Sequence, residues 1–278
     1  MQNINKKAKE YINVLLGFPV IDQLKEIEDL GVSVTTHTYD VLEIAIRDLK
    51  KSYKTLKRAD EELDLFAMLV GIIIHDTSKA SIRANGGDSV LSHSQVMLKK
   101  PDRIRKEAQG ILKQMEEETG LKLDHNTERK IVHIVLSHHG RWGRVSPSTK
   151  EALMVHKADE YSAKYHRINP IGADKIVELM AKGHHLDDIQ ERLGITSGII
   201  KDRLKRAKVE LKLKNNKQLL SYYNANKKIV IGDEFFIKRI KETKGLIQKV
   251  EKIGFETLVK QCELFKYFND NKIFDRGL

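Results

Sequence analysis

The sequence predicts an all-α protein, and three observations support this fold class. The chain has 278 residues, of which 40% are hydrophobic and 32% charged, so it can bury a core and does not resemble a disordered chain. It contains only four prolines. Long segments rich in Lys, Glu, Leu, Ile and Ala, all but Ile strong helix formers, separate the Gly and Pro sites, and apolar side chains recur within them at helical spacing.

The N-terminal part of the chain predicts three helices. Residues 1–30 indicate two short amphipathic helices, interrupted at Gly17-Phe18-Pro19, where glycine and proline disfavour a continuous helix. A third helix is expected after Thr38, because apolar side chains then recur with a period close to 3.6 residues. These side chains are Val41, Leu42, Ala45, Ile46 and Leu49.

Residues 60–79 form the most apolar helix that the sequence predicts. Its longest uncharged run, Leu65–Ile74, is shorter than the ~20 residues that a membrane-spanning helix needs, so we expect a buried core helix and no membrane partner. The C-terminal end of this helix carries His75, Asp76 and Lys79.

Three more segments follow this apolar helix. The segment Ile82–Ser92 contains Gly86-Gly87 and indicates a loop. Residues 102–118 predict a charged helix, and residues 127–139 predict a helix with one apolar face.

The next helix is predicted to open at Ser148. Glu151 lies three residues later, which is the spacing of a capping box. The helix should end before Asn169-Pro170, because a proline disfavours the helical conformation of the residue before it. We place a domain boundary there, so that the first predicted domain covers residues 1–170.

Residues 171–228 predict a small basic domain of helix-turn-helix type. Short helices at Leu186–Leu193 and from Ser197 to about Lys212 flank a turn at Gly194-Ile195-Thr196. Residues 229–278 predict an amphipathic helical C-terminal tail, which would serve for packing or for a homo-oligomer.

The charge of the chain favours a polyanionic partner. Lys and Arg number 50 against 39 Asp and Glu, which gives a net charge of +11 and points to nucleic acid or a nucleotide. The alternative is a lysine-rich surface that serves solubility alone. The single cysteine, Cys262, excludes an internal disulfide, and residues 1–10 lack the apolar stretch of a signal peptide, so the expected location is cytoplasmic.

Histidine is unevenly placed along the chain. Nine of the eleven histidines lie between residues 37 and 166, and neutral imidazole and carboxylate are the usual ligands of transition metals. His75 and Asp76 can reach one ion where a helix ends and the chain turns, and an aspartate beside an apolar run is costly to bury unless it is paired or binds a metal. The candidate set, in chain order, is His37, His75, Asp76, His93, His138, His139 and Asp159.

This order of residues resembles the HD superfamily of metal-dependent phosphohydrolases, whose motif runs His, His-Asp and a final Asp on separate helices. The extra histidines resemble the subset that binds two metals, and within it the sequence is similar to the YhaM-type 3′–5′ exoribonucleases. The shared motifs are His37-Thr38; Ile74-His75-Asp76 with Lys79; Leu91-Ser92-His93; Leu136-Ser137-His138-His139-Gly140; and Pro147, Thr149, Glu151 and Ala152 with His156 and Asp159.

The resemblance implies an HD-type helical bundle and a role for each motif residue. His37, His75, Asp76 and Asp159 would hold a first divalent ion. His93, His138 and His139 would hold a second, with Asp76 bridging, although His139 could instead contact substrate. Asp76 and Lys79 are the expected catalytic residues, with Lys79 stabilising charge on the phosphate. Mn, Fe, Ni or Co is favoured over Zn or Mg.

Two basic regions are candidates for substrate binding. Arg141, Trp142 and Arg144 could clamp phosphate and base, since Trp stacks on bases and Arg pairs with phosphate; an ordinary exposed loop is the alternative. The second region resembles LuxR-type or sigma-region-4-type helix-turn-helix modules, in which Lys201, Arg203, Lys205 and Arg206 would contact nucleic acid. Its alternative is a helical packing domain with a solvated basic face.

Three functions remain open at the level of sequence. The first is a phosphodiesterase or nuclease that hydrolyses RNA or single-stranded DNA with a metal-activated water. The second is an HD enzyme acting on a small or signalling nucleotide, which is favoured because only 36 residues precede His37 and the exoribonucleases carry an OB-type domain there. The third is a DNA-binding regulator whose HD core senses a ligand.

Overall fold

The computed structural model describes residues 3–84, 93–168, 171–195, 197–229 and 234–270, and most of them are helical. This confirms the predicted all-α class. In the described part of the chain, the strands β1 (Glu28–Asp29) and β2 (Val32–Ser33) pair antiparallel, and 3₁₀ turns lie at Leu24–Glu26 and Gly140–Trp142.

The α-helices follow one another along the chain with short connections. The N-terminal helices are α1 (Asn3–Leu16), α2 (Pro19–Gln23), α3 (Val34–Tyr53), α4 (Leu56–Asp60), α5 (Leu65–Ile74), α6 (Ser78–Ala84), α7 (His93–Lys99), α8 (Pro101–Thr119), α9 (His125–Ser137) and α10 (Lys150–Tyr165). The C-terminal helices are α11 (Ala173–Ala181), α12 (Leu186–Leu193), α13 (Ser197–Glu210), α14 (Asn216–Asn226), α15 (Glu234–Ile253), α16 (Phe255–Gln261) and α17 (Glu263–Asp270).

The chain divides into two compact units. The first unit comprises residues 1–166 together with 242–278, and the second comprises residues 167–241. The predicted boundaries at residues 170 and 228 stay predictions, and the predicted helix end at Asn169-Pro170 lies outside the described residues, as does most of the predicted loop Ile82–Ser92.

The core of the first unit is built around α5. All ten of its residues are buried, as expected for a helix that is apolar on every face. Gly71 lets α9 approach closely, because a Cβ there would lie 2.8 Å from Cγ2 of Ile134. The window Leu65–Ile82 is long and apolar enough to cross a membrane, but 83% of it is buried in the protein, as in the core helix of a soluble domain.

The C-terminal helices also contribute to this core. Leu264, Phe265 and Phe268 of α17 are buried with the side chains of α1 and α5. The apolar face predicted for the tail therefore packs within its own chain at these residues.

Three predicted helix ends differ from the structure, and in each case a side-chain cap decides the position. The helix expected after Thr38 begins at Val34, because Ser33 accepts a hydrogen bond from the backbone N–H of Thr36. The single helix expected over residues 60–79 is shorter in the structure, where α5 begins at Leu65 and ends at Ile74 and α6 begins at Ser78. Asp64 caps the start of α5, and the Thr77 hydroxyl donates to the Ile74 carbonyl at its end.

The capping box predicted at Ser148 is wrong. Thr149 is the N-cap of α10, since its hydroxyl accepts from the N–H of Ala152 at 3.2 Å. The Glu151 carboxylate is not available for a capping box, because it accepts from the N–H of Asp64 at 2.9 Å and pairs with Lys130 at 3.0 Å.

The second unit has a core of its own, formed by α11 to α14. Its buried apolar residues include Ala173, Ile176, Val177, Ile189, Ile200, Leu204, Ala207 and Leu219. The predicted succession of α12, a turn and α13 is present, with Gly194 in the left-handed conformation after α12; Thr196 lies outside the described residues. Whether this motif binds DNA stays a prediction.

Candidate metal centre

Helix ends bring six of the seven predicted ligands together, and the seventh projects from within a helix. His37 lies in the first turn of α3, and His75 and Asp76 lie in the turn that follows α5. His93 is the first residue of α7. The His138-His139 pair lies in the turn after α9, and Asp159 projects from α10. Since helix ends lack a continuing turn, neighbouring side chains there can converge on one point.

These residues form two clusters that share Asp76. The first cluster contains His37, His75 and Asp76, and the second contains Asp76, His93, His138 and His139. Within each cluster, one potential ligand atom from every residue lies within 4.8 Å of the others.

The two carboxylate oxygens of Asp76 face different clusters. Oδ2 lies 3.4 Å from Nε2 of His75 and 3.8 Å from Nε2 of His37. Oδ1 lies 3.6 Å from both Nδ1 of His93 and Nε2 of His138. Asp76 can therefore contribute a ligand oxygen to either cluster.

Asp159 lies beside the first cluster. Its Oδ1 lies 2.8 Å from Nε2 of His37 and 3.9 Å from Nε2 of His75. The four residues that the sequence assigned to a first ion are therefore neighbours in the structure, and so are the residues assigned to a second.

Hydrogen bonds on the far side of each ring fix the orientation of four histidines. Nδ1 of His75 lies 2.6 Å from the carbonyl oxygen of Ile72, and Nδ1 of His138 lies 2.7 Å from the carbonyl oxygen of Val135. A carbonyl only accepts, so Nδ1 carries the proton in both rings and Nε2 presents a lone pair toward Asp76. Two serine hydroxyls contact the other two rings: Nδ1 of His37 lies 2.9 Å from Oγ of Ser162, and Nε2 of His93 lies 2.9 Å from Oγ of Ser78.

The clusters fit a bound divalent metal. Buried polar atoms normally have hydrogen-bond partners, and leaving one without a partner is costly. Four buried atoms of the clusters lack a hydrogen-bond partner among the described residues, and all of them face the interior of the clusters. They are Nε2 of His75, Oδ1 of Asp76, Nδ1 of His93 and Nε2 of His138. Imidazole nitrogen and carboxylate oxygen are suitable ligands for a divalent transition metal.

Burial keeps three of the histidines neutral. It lowers the pKa of His75 to about 4 and that of His139 to about 3, and it holds the pKa of His93 well below the ordinary value. Because neutral imidazole is the form that binds metal, the site favours ligation at neutral pH. His138 differs: burial opposes its charge, but the nearby carboxylates of Asp76 and Asp159 outweigh burial and raise its pKa.

Both carboxylates of the centre are ionised. Burial alone would raise the pKa of Asp76, but the nearby Lys79 and His75 outweigh it and hold the pKa well below the ordinary value. The pKa of Asp159 is also lowered, because the hydrogen bond and charge of His37 outweigh burial. The centre therefore provides two negative charges for cations.

Residues 34–164 match the family model of the HD domain. This match supports an HD-superfamily member. HD domains are generally metal-dependent phosphohydrolases, and the match together with the two clusters supports this class and bound divalent metal for the chain. No curated protein and no solved structure matches the chain significantly. The likeness to YhaM-type exoribonucleases and to helix-turn-helix families therefore stays a prediction.

Lys79 lies at the edge of the HD centre. Its ammonium group donates to Oδ2 of Asp76 at 2.6 Å, and its side chain remains 18% exposed. The ammonium group thus provides a positive charge beside the first cluster, and its role in phosphate binding stays a prediction.

The turn that carries His138 and His139 depends on a glycine and a further histidine. Gly140 has φ of +55°, and a Cβ there would lie 2.4 Å from Cε1 of His156, so no other residue fits without displacing that ring. Nδ1 of His156 donates to the His138 carbonyl at 2.6 Å. His156, which belongs to the shared motif, therefore supports the turn.

The predicted clamp residues follow this turn directly. Arg141 stacks over Trp142, with its guanidinium carbon 5.3 Å from the ring centroid. Arg144 is exposed, and its backbone N–H donates to the Met97 carbonyl of α7 at 3.3 Å. The loop thus joins the two elements that supply the second cluster, while its contact with substrate stays a prediction.

The four predicted contacts on α13 separate into two groups. Lys201 and Lys205 are exposed. Arg203 is only 2% exposed, donates to the Ile171 carbonyl at 3.2 Å and pairs with Asp202 at 3.0 Å, so its prediction as a nucleic-acid contact is corrected. Arg206 also pairs with Asp202, at 3.1 Å. The signal for burial was available in the sequence, because residue 203 shares a helical stripe with Ile200, Leu204 and Ala207.

Proposed function

We propose that this chain is a metal-dependent phosphodiesterase that hydrolyses RNA or single-stranded DNA. The observation that carries the proposal is the Asp76 carboxylate, whose two oxygens face two separate histidine clusters. When bound, two divalent ions would polarise a phosphoryl oxygen and lower the pKa of a bound water toward neutrality. We propose Mn, Fe, Ni or Co for these ions, because the ligands are imidazole and carboxylate without thiolate.

The side chains of the centre divide the remaining tasks. His37, His75 and Asp159 would hold the first ion with Asp76, and the second cluster would hold the other. Lys79 is partly exposed beside Asp76, where its ammonium group can stabilise the negative charge that develops on a phosphate oxygen. His37, His75 and His138 are at most 4% exposed, so these side chains are shielded from bulk water.

The second unit supports a polymeric substrate. Residues 167–241 contain 17 Lys and Arg against 9 Asp and Glu, a net charge of +8 out of +11 for the chain. Several of these lysines are exposed on α13 and on the segment that follows it. Within the described residues, their side chains form no ion pair. They are Lys201, Lys205, Lys212, Lys214 and Lys217. Unpaired lysines provide affinity for phosphates that does not depend on base sequence.

A second candidate function is hydrolysis of a small nucleotide by the same centre. It is favoured by α12, which exposes Asp187, Asp188 and Glu191 and would repel a phosphate backbone on that face. The first candidate ranks higher because the positive charge of the second unit has no evident role with a small substrate.

A substrate panel tests the proposal. The purified chain is loaded with Mn²⁺ and assayed against single-stranded RNA, single-stranded DNA, and mono-, tri- and cyclic nucleotides. We expect hydrolysis of at least one polymer, and its loss on chelation. Hydrolysis confined to small nucleotides would establish the second candidate instead. Tight binding of one duplex sequence without hydrolysis of any panel member would indicate a DNA-binding regulator.

A further inference from the structure

Two serines occupy equivalent positions behind the two clusters. Ser162 lies on α10, is 1% exposed, and its Oγ is 2.9 Å from Nδ1 of His37. Ser78 opens α6, is 3% exposed, and its Oγ is 2.9 Å from Nε2 of His93. Each hydroxyl thus contacts the ring nitrogen that faces away from Asp76, and the two serines serve different clusters.

The two hydroxyls contact opposite nitrogens of their rings. His37 turns Nε2 toward Asp76 and His93 turns Nδ1 toward it, so with a metal bound the ring nitrogen that carries the proton would differ between the two. A serine oxygen can accept this proton in either case. Without the hydroxyl, the N–H would lose this acceptor and the ring could turn about its χ2 bond.

His75 and His138 have no such dependence on a side chain. Their outer nitrogens are held by backbone carbonyls of their own helices, which no substitution removes. Each cluster therefore contains one histidine whose outer nitrogen is held by a backbone carbonyl and one whose outer nitrogen contacts a serine hydroxyl.

We propose that Ser162 and Ser78 are positioning residues that set metal affinity separately at the two halves of the centre. Ser162 acts through His37 on the half that contains His75 and Asp159. Ser78 acts through His93 on the half that contains His138 and His139. This inference rests on the metal-dependent function proposed above.

Metal titration of the full chain tests this inference. The metal-free protein is titrated with Mn²⁺ by calorimetry and with Co²⁺ by visible absorption, and His93→Ala identifies which binding event belongs to the second cluster. We expect Ser162→Ala to weaken the first event by about 10–100-fold and leave the second unchanged, because partners of ligand histidines have effects of this size. Ser78→Ala should do the reverse. Ser162→Thr and Ser78→Thr, which keep the hydroxyl, should recover most of the affinity.

Ser137→Ala is the matched control. Ser137 is also buried and precedes His138 directly, but its hydroxyl donates to the His133 carbonyl rather than to a ligand ring. This variant should bind both ions as the wild type does. Circular dichroism of each variant verifies that it is folded.

Two results would overturn the inference. In one, the two alanine variants bind metal like Ser137→Ala. In the other, each variant weakens both events equally, which is the signature of a general loss of structure. If the wild type binds two ions but hydrolyses no member of the substrate panel, the proposed function fails while the positioning role stands. If the wild type binds no divalent ion, both fail.

Discussion

The two units of the molecule differ in how they use charge. The first unit contains nine of the eleven histidines and carries a net charge of only +3 over its two segments, whereas the 75 residues of the second carry +8. The first concentrates groups that can ligate cations in a buried centre, and the second exposes cations that can attract anions. The functions proposed for the two units can therefore be tested by separate sets of substitutions.

Both units also bury charged side chains, and the comparison shows how to recognise a ligand site. In the second unit, buried Arg203 is satisfied by the Ile171 carbonyl and by Asp202. In the first unit, Oδ1 of Asp76 and the facing nitrogens of His75, His93 and His138 have no partner among the described residues. A satisfied buried charge serves the fold, while converging unsatisfied atoms indicate a binding site.

The largest expected effect follows from Asp76→Ala. This substitution removes the oxygens that serve both clusters, so we expect metal content and hydrolysis of every substrate to fall to background. Metal analysis and the substrate panel provide the measurement. Asp22→Ala, which removes an exposed carboxylate paired with Lys25, should change neither. Full activity in the Asp76→Ala protein would remove the case for an HD enzyme.

Lys79→Ala should separate phosphate stabilisation from metal binding. The ammonium group contributes to the transition state but is not a ligand, so we expect turnover to fall by about 100-fold while both ions remain bound. Steady-state kinetics and metal analysis of the same preparation check this. Loss of the metals in this variant would show that Lys79 supports the centre itself.

Arg203→Ala should destabilise the second unit. The substitution leaves the Ile171 carbonyl and Asp202 without their shared partner, and we expect a loss of about 2 kcal/mol in the free energy of unfolding. Denaturant unfolding provides the measurement. Lys205→Ala on the same helix is exposed and should change stability by no more than about 0.5 kcal/mol. Equal stability of the two variants would contradict a structural role for Arg203.

The smallest effect on catalysis is expected from Lys201→Glu combined with Lys205→Glu. Polymer binding should weaken for every sequence, and the slope of log affinity against log salt should fall by ~0.7–0.9 for each lost phosphate contact. Hydrolysis of a small generic phosphodiester should be unchanged. Lys51→Glu with Lys57→Glu reverses two exposed charges of the first unit and is the matched control. If both pairs behave alike, α13 is a solvated face and the small-nucleotide function is favoured.

Much of the fold could be predicted from hydrophobic periodicity, because the buried stripes repeat at the helical period. The helix ends could not, since they depend on which of several polar residues acts as the cap. Ser148 and Thr149 are both suitable N-caps, and Thr149 has this role in the structure. Glu151 is held by Asp64 and Lys130, residues distant in sequence, so local pattern could not reveal its contacts.

The candidate ligands could be predicted because histidine and aspartate are rare beside apolar runs and occur here in a characteristic order. Ser78 and Ser162 could not, because serine is common and its distance from a ligand ring appears only after folding. The burial of Arg203 could be predicted from the helical stripe that it shares with Ile200 and Leu204, but the density of basic residues around it suggested exposure. Charge density and helical phase must therefore be considered together.

The most direct test of the central claim is the anomalous scattering of Mn²⁺ in crystals of the full chain. We expect two peaks, each about 2.0–2.3 Å from a different oxygen of Asp76. One should lie with His37 and His75, and the other with His93 and His138. A single peak, or peaks that do not contact Asp76, would contradict a shared two-metal centre.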